Sequence, residues 1–68
     1  MNEDKFNMEL RKFLKKVGIN SQREIEQAVH QAIDAGTLKG SESLEAKMVL
    51  SIPALKLSTE IDGTISLD

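Results

Sequence analysis

Cysteine is absent from the 68-residue sequence, and histidine occurs only once. Without thiols the chain can form neither a disulfide framework nor a thiolate metal site, and a single imidazole leaves a structural zinc site short of its usual ligands. Packing alone must therefore stabilise the fold. A chain of this length buries only about 60% of the surface that its unfolded form exposes, so we expect modest stability.

Aromatic residues and long apolar runs are also scarce. Phe6 and Phe13 are the only aromatic residues, so the chain has no platform on which the bases of single-stranded nucleic acid could stack. Residues 1–20 contain no signal-peptide core, and no apolar run approaches the length of a membrane-spanning helix. We expect a cytoplasmic protein that does not enter the membrane.

Neither sign of charge is in large excess. Nine basic and eleven acidic residues give a net charge of -2, which argues against a surface built throughout for phosphate backbones. The distribution is uneven, because residues 1–20 carry a net +2, residues 21–40 a net -1 and residues 41–68 a net -3. Any attraction to nucleic acid must come from the first of these segments.

The first part of the chain has the periodicity of an amphipathic helix. Its apolar residues fall within an arc of about 100°, which predicts a first helix over residues 3–17, with Asn2 as the N-cap. Gly18 follows the last of them, at a position where glycine often ends a helix. The apolar residues of this helix are Phe6, Leu10, Phe13, Leu14 and Val17.

A second helical segment follows at once. Ser21-Gln22-Arg23-Glu24 fits a capping box, in which the serine and glutamate side chains satisfy backbone donors at a helix start. We therefore predict a second helix over residues 22–35, ended by Gly36. Its apolar residues are smaller than those of the first: Ile25, Ala28, Val29, Ala32 and Ile33.

From Leu44 onward the period changes from helical to two. Apolar and polar residues alternate, with an interruption at Pro53 and Ala54, which predicts strands over residues 44–52 and 55–60. Pairing Ile52 with Leu55 brings the apolar residues of both strands to one face. The same register sets Lys47 opposite Glu60 on the other face.

The tail predicts a third strand over residues 64–68. A three-residue loop, Ile61-Asp62-Gly63, keeps the apolar residues on one face, whereas a two-residue Asp62-Gly63 turn mixes polar and apolar residues. The predicted fold is α+β, with two N-terminal helices packed on one face of a three-stranded antiparallel β-meander. We expect residues 1–68 to form a single small domain.

A basic face lies on the first predicted helix, opposite its apolar residues. We treat it as a candidate partner-binding face, while the ordinary alternative is the solvated side of an amphipathic helix. This basic face consists of Lys5, Met8, Arg11, Lys12, Lys15 and Lys16.

The predicted corner between the two helices resembles a helix-turn-helix. Gln22 and Arg23 have side chains that can read bases from the major groove. Glu24 and Glu26 stand among them and would repel phosphates, and no third helix follows to brace the pair. Nucleic-acid binding through the basic first helix and this corner is therefore the alternative hypothesis.

Residues for catalysis or metal binding are few. Glu26, His30 and Asp34 share one side of the second helix, but three ligands on one helix rarely complete a metal site, and local ion pairing is the simpler account. No serine, threonine or lysine has a recognisable activating partner, and no glycine-rich phosphate loop is present. We predict neither enzyme activity nor a cofactor or metal.

Three stretches carry a resemblance to a known family: "RKFLKKVGINSQREIEQAV" at 11–29, "GTLKGSESLEAKMVLSI" at 36–52 and "IDGTISL" at 61–67. Over most of its length the chain resembles a family of small bacterial proteins of unknown function. The resemblance implies a bacterial, cytoplasmic protein. It transfers no active site, because the family has none assigned.

The favoured hypothesis is a small non-enzymatic protein-interaction module that binds another protein or a second copy of itself. A core of this size is often completed by association. A three-stranded meander also has two edges at which a further strand can pair.

Overall fold

The computed structural model describes all residues from 1 to 68 and contains one α-helix and two β-strands. Helix α1 spans Glu3–Asp34, strand β1 spans Ser43–Ile52 and strand β2 spans Leu57–Ser66, with a short 3-10 turn between the strands. The predicted α+β class is confirmed. The prediction of two helices packed on a three-stranded meander is wrong.

The chain divides into two compact units, Met1–Thr37 and Leu38–Asp68. The first contains α1 and the second contains the two strands. That residues 1–68 form a single domain stays a prediction.

Helix α1 begins as the sequence predicts. The Asn2 side chain, at an extended backbone position, accepts a hydrogen bond from the Lys5 backbone N–H at 3.0 Å. This bond satisfies one of the donors that a helix start leaves free. Glu3 and Asp4 lie in the first turn, where negative charge is favourable beside the positive end of the helix dipole.

The predicted corner at Gly18 does not exist, because α1 continues through Gly18 and Ser21 without interruption. Nearby polar side chains bond within the helix: the Asn20 amide donates to the Lys16 carbonyl oxygen at 2.9 Å, and the Gln22 amide to the Glu26 carboxylate at 2.8 Å. A glycine inside a helix costs only about 1 kcal/mol relative to alanine. Ending and restarting the helix would instead leave several backbone groups without hydrogen-bond partners. The continuous helix therefore has the lower free energy.

The end of α1 at Gly36 is confirmed, and its geometry is a Schellman motif. Gly36 is left-handed, with φ at +80°. Its N–H donates to the Ile33 carbonyl at 3.0 Å, and the Thr37 N–H donates to the Ala32 carbonyl at 2.8 Å. These two bonds satisfy carbonyl groups that the helix end leaves free.

A tight turn precedes β1, and the Glu42 carboxylate organises it. The carboxylate accepts backbone hydrogen bonds from Lys39 at 2.8 Å, Gly40 at 2.9 Å and Ser41 at 3.2 Å. The bond from the Lys39 N–H is the largest cause that lowers the pKa of Glu42, because it favours the charged form. The Glu42 carbonyl also accepts from the Leu67 N–H at 2.9 Å, just beyond the last strand pair.

The register of the hairpin differs from the prediction by two residues. Ile52 pairs with Leu57 rather than with Leu55. The predicted two-residue loop would need a positive φ at Pro53, which the proline ring forbids. The chain instead uses a 3-10 turn closed by a bond from the Lys56 N–H to the Pro53 carbonyl at 3.0 Å, with Lys56 left-handed at φ 52°.

Residues 64–66 of the third predicted strand belong to β2, which runs straight through Asp62 and Gly63. Asp62 pairs with Lys47 and Gly63 with Ala46. An Asp-Gly pair favours a turn, but it can also lie in a strand when a neighbouring strand offers hydrogen-bond partners to its backbone. Strand β1 is ten residues long, so a turn at Gly63 would leave the start of β1 without ladder hydrogen bonds.

Candidate interaction surfaces

The hairpin has one apolar face. Because cross-strand partners in an antiparallel pair point to the same side, the alternating residues of both strands meet there. We call this surface the apolar hairpin face, and Thr59 is its one side chain with a polar group. Its members are Leu44, Ala46, Met48, Leu50, Ile52, Leu57, Thr59, Ile61, Gly63 and Ile65.

The opposite face of the hairpin is polar apart from Val49. Lys47 pairs with Asp62. Its ammonium nitrogen lies 3.5 Å from the carboxylate of Glu60, which is two residues before Asp62 on the same strand. The predicted contact of Lys47 with Glu60 is thus present, although the two residues are not directly opposite. Both side chains are largely exposed, so the pair contributes at most about 1 kcal/mol.

The apolar hairpin face remains exposed to solvent. Its four most exposed large side chains, those of Met48, Ile52, Leu57 and Ile61, keep between 36% and 57% of their surface accessible. A two-stranded hairpin is marginally stable at best by itself in water. The polar face is suited to water, whereas exposure of the apolar face to water is unfavourable.

Helix α1 carries a second exposed apolar surface, which we call the α1 stripe. Six of its large members are between 37% and 54% exposed, and no side chain in the whole chain is buried. At 100° per residue, the centre of the stripe turns by about 80° between its N-terminal and C-terminal halves. The stripe consists of Phe6, Leu10, Phe13, Leu14, Val17, Ile25, Ala28, Val29, Ala32 and Ile33.

The six residues of the predicted basic face all lie on α1 and are all exposed. At helical spacing they stand on the side opposite the N-terminal half of the α1 stripe. None of their charged groups forms an ion pair within the chain. A binding role for Lys5, Met8, Arg11, Lys12, Lys15 and Lys16 stays a prediction.

The other predicted sites have these outcomes. The helix-turn-helix-like corner is wrong, because Gln22 and Arg23 lie in the interior of a continuous helix. No group of three or more histidine, cysteine, aspartate or glutamate side chains is arranged to hold a metal ion, at His30 or elsewhere. Helix α1 also contains no stretch that is both long enough and apolar enough to cross a membrane.

Two glycines that the sequence placed in turns lie inside regular elements. Gly18 and Gly63 stand inside regular elements, and a Cβ on either would meet no atom within 4 Å. Gly63 faces Ala46 across the ladder, and together they leave a shallow depression in the hairpin. An isolated glycine within a periodic segment is compatible with a continuous helix or strand, but both glycines were interpreted as turn residues.

The comparisons with known proteins place the chain in a family without assigning it a task. The family model described as "Family of unknown function (DUF6494)" matches residues 1–68. No curated protein and no solved structure gives a significant match. The chain therefore belongs to this family, and the bacterial origin implied by the resemblance stays a prediction.

Proposed function

We propose that this member of a family without an assigned function is a small non-enzymatic protein-interaction module. One observation carries the proposal: both units carry large apolar side chains on one face that stay partly exposed, and no side chain of the chain is buried. Large apolar side chains that share an exposed face often mark a surface that binds another protein. The function lies in association rather than in a chemical step.

The free energy available from covering the hairpin supports this proposal. Full burial of a large apolar side chain is worth about 1.5–3 kcal/mol. Four members of the apolar hairpin face are each 36% to 57% exposed. Covering what they leave open would therefore contribute roughly 3–5 kcal/mol before the cost of association, which is large for a domain of this size.

Nucleic-acid binding has lost half of its basis. The helix-turn-helix-like corner is absent, and only the basic face of α1 remains. The whole chain, with nine basic and eleven acidic residues, has a net charge of -2. If the basic face bound duplex DNA or RNA, binding would weaken steeply with salt and disappear in the Lys12→Glu, Lys15→Glu double variant.

Thiol labelling tests the interaction module directly, since the chain has no cysteine of its own. Met48→Cys places a thiol on the apolar hairpin face, and Ser51→Cys places a matched control on the polar face of the same strand. In the dilute purified chain both thiols should react rapidly with a maleimide. At native abundance in an extract of the producing cells, Met48→Cys should react several-fold more slowly than Ser51→Cys. Equal rates of the two thiols in both settings would contradict the proposal.

A further inference from the structure

We infer that β1 pairs antiparallel with β1 of a second copy of the chain, so that two hairpins form one four-stranded sheet. The inference rests on the proposed interaction module and names the partner for one edge of its hairpin. Three observations carry it: the free backbone groups of β1, the regular form of its outer edge, and the charges beside that edge.

Every second residue of β1 directs its backbone N–H and C=O groups away from β2. The Leu67 N–H donates to the Glu42 carbonyl directly opposite, so the hydrogen-bonded pairs of the ladder fall on the even-numbered residues of β1. The odd-numbered residues therefore present their backbone groups at the outer edge, where these groups have no hydrogen-bond partner within the chain. These residues are Ser43, Glu45, Lys47, Val49 and Ser51.

The outer edge of β1 has none of the irregularities that prevent a further strand from pairing. All ten residues pair with β2 in one register without a bulge, and Pro53 follows the strand rather than interrupting it. A long and regular edge is a template for another strand. Two strands alone are marginally stable, whereas three or more strands with an apolar face can be stable independently.

The charges beside the edge select one register. When two β1 strands pair about a two-fold axis, only one register sets Glu45 directly opposite Lys47 of the second copy, and the symmetry forms this contact twice. Opposite charges directly across a ladder are stabilising. The register also sets odd-numbered residues opposite each other, so residues 43–49 of the two copies form about eight backbone hydrogen bonds.

Lys47 alone would discourage a further strand, because a lysine on an edge ordinarily opposes strand pairing. In the proposed dimer its charge is balanced instead. Lys47 lies between two acidic residues, Asp62 on its own β2 and Glu45 of the second copy. Ala46 faces Ala46 of the second copy at the two-fold axis, in a non-hydrogen-bonded pair where side chains come closest and a small one fits.

The other ways of pairing these edges fit less well. Strand β2 contains Glu60 and Asp62 and no basic residue, so no register of β2 with itself forms a pair of opposite charges. Pairing of β1 with β2 of another copy leaves Glu45 without a basic partner. It also leaves one free edge at each end, so it produces an open filament rather than a closed dimer.

Two charge-reversed variants and their mixture test the register. Glu45→Lys sets lysine opposite lysine, Lys47→Glu sets glutamate opposite glutamate, and each substitution changes both contacts of the symmetric dimer. Each variant alone should have a dissociation constant at least tenfold higher than that of the natural chain in sedimentation equilibrium. An equimolar mixture restores both contacts between opposite charges, so it should dimerise within about threefold of the natural chain.

Glu60→Lys is the matched control for Glu45→Lys. It makes the same change of charge on the polar face, but on β2, away from the proposed ladder, and should leave the dissociation constant within about threefold. Dimerisation of the mixture also shows that both charge-reversed variants are folded. Three results would overturn the inference: Glu45→Lys dimerising as tightly as the natural chain, a mixture that pairs no better than its components, or filaments that lengthen with concentration.

Disulfide formation locates the two-fold axis, since the chain has no cysteine of its own. The Cα atoms of Ala46 in the two copies should lie about 4.5 Å apart, within the range that a disulfide spans. Mild oxidation of Ala46→Cys at 100 µM chain should therefore give a covalent dimer. Met48→Cys is the control on the same strand and face, because its two copies lie about 13 Å apart along the strand direction. Absence of the Ala46→Cys dimer, or equally fast oxidation of Met48→Cys, would contradict the register.

Failure of this inference is distinguishable from failure of the proposed function. A chain that stays monomeric at 100 µM, while Met48→Cys is protected in the cell extract, overturns pairing with a second copy and keeps the interaction module with a different partner. Pairing at the β1 edge leaves the apolar hairpin face open. A covalent Ala46→Cys dimer together with an unprotected Met48→Cys therefore supports the pairing and contradicts binding of another protein to that face.

Discussion

Truncation of Leu14 distinguishes a helix that stands alone from one that is covered. The Leu14 side chain is 54% exposed in the chain. Leu14→Ala removes the equivalent of three methylene groups, worth about 2.4 kcal/mol if they are fully buried. With a little under half of the side chain buried, we expect a loss of only about 1 kcal/mol for an isolated chain.

A covered Leu14 predicts a larger effect. If a second copy of the chain packs over this side chain, the free energy of transferring the whole side chain from water is lost on truncation and a cavity is left, for a total of about 2–5 kcal/mol per copy. Urea unfolding followed by circular dichroism at 2 µM and 200 µM chain measures both cases. A hundredfold change in concentration changes the apparent stability of a dimer by about 2.7 kcal/mol, whereas a monomer does not respond to concentration.

Met8→Ala is the matched control for Leu14→Ala. Met8 lies on the opposite side of α1 and is 64% exposed, so its truncation should change stability by no more than about 0.5 kcal/mol at either concentration. A loss of about 1 kcal/mol for Leu14→Ala at both concentrations, with one and the same urea midpoint for the natural chain, would refute the reasoning that α1 is covered.

Three further predictions concern the turns. Gly36→Ala places a Cβ at φ +80° where it contacts nothing, so it should destabilise the chain by about 1–2 kcal/mol through backbone strain alone, measured as a lower urea midpoint. Lys56→Gly should act in the opposite sense by up to about 1 kcal/mol, because Lys56 is left-handed at φ 52°; a lower midpoint for this variant would contradict the assignment. The pKa of Glu42 is lowered in the folded chain. The Glu42 carboxylate therefore stabilises the turn fully when the pH is above the pKa of the unfolded chain, and this stabilisation is lost as the pH falls through the lower pKa of the folded chain. In a nuclear magnetic resonance titration, the midpoint of the change in the Lys39 amide signal should therefore lie at a lower pH than the titration midpoint of a free glutamate. Glu42→Gln should remove this transition.

Local chemistry was sufficient to predict the ends of α1 and the chemical faces of the hairpin. Asn2 and Gly36 act within one turn of the backbone, so the residues beside them decide their roles. The side on which the apolar residues of β1 and β2 lie was also predicted correctly, because a register error of two residues preserves the alternation of sides. Leu55, which was predicted to lie in a strand on the same face, lies in the turn instead. An error of one residue would have turned every side chain to the wrong face.

The errors share one cause, which is the use of local stop signals where backbone pairing over a longer range decides. Gly18 and the capping box from Ser21 to Glu24 are valid signals, yet each is worth only about 1 kcal/mol. Asp62 and Gly63 form a common turn pair, yet β1 offers partners to every residue of β2. The basic face of α1 lies outside this comparison, since its role stays a prediction.

By itself, the sequence determined that the chain is α+β, where its helical part begins and ends, and which side chains share a face of the hairpin. These properties depend on periodicity and on contacts within a few residues. Only the tertiary structure decided that one helix replaces two, that two strands replace three, and that Ile52 pairs with Leu57. Those outcomes depend on the hydrogen bonds of all the backbone groups of a helix or strand taken together. A single glycine or proline in the sequence does not indicate that total.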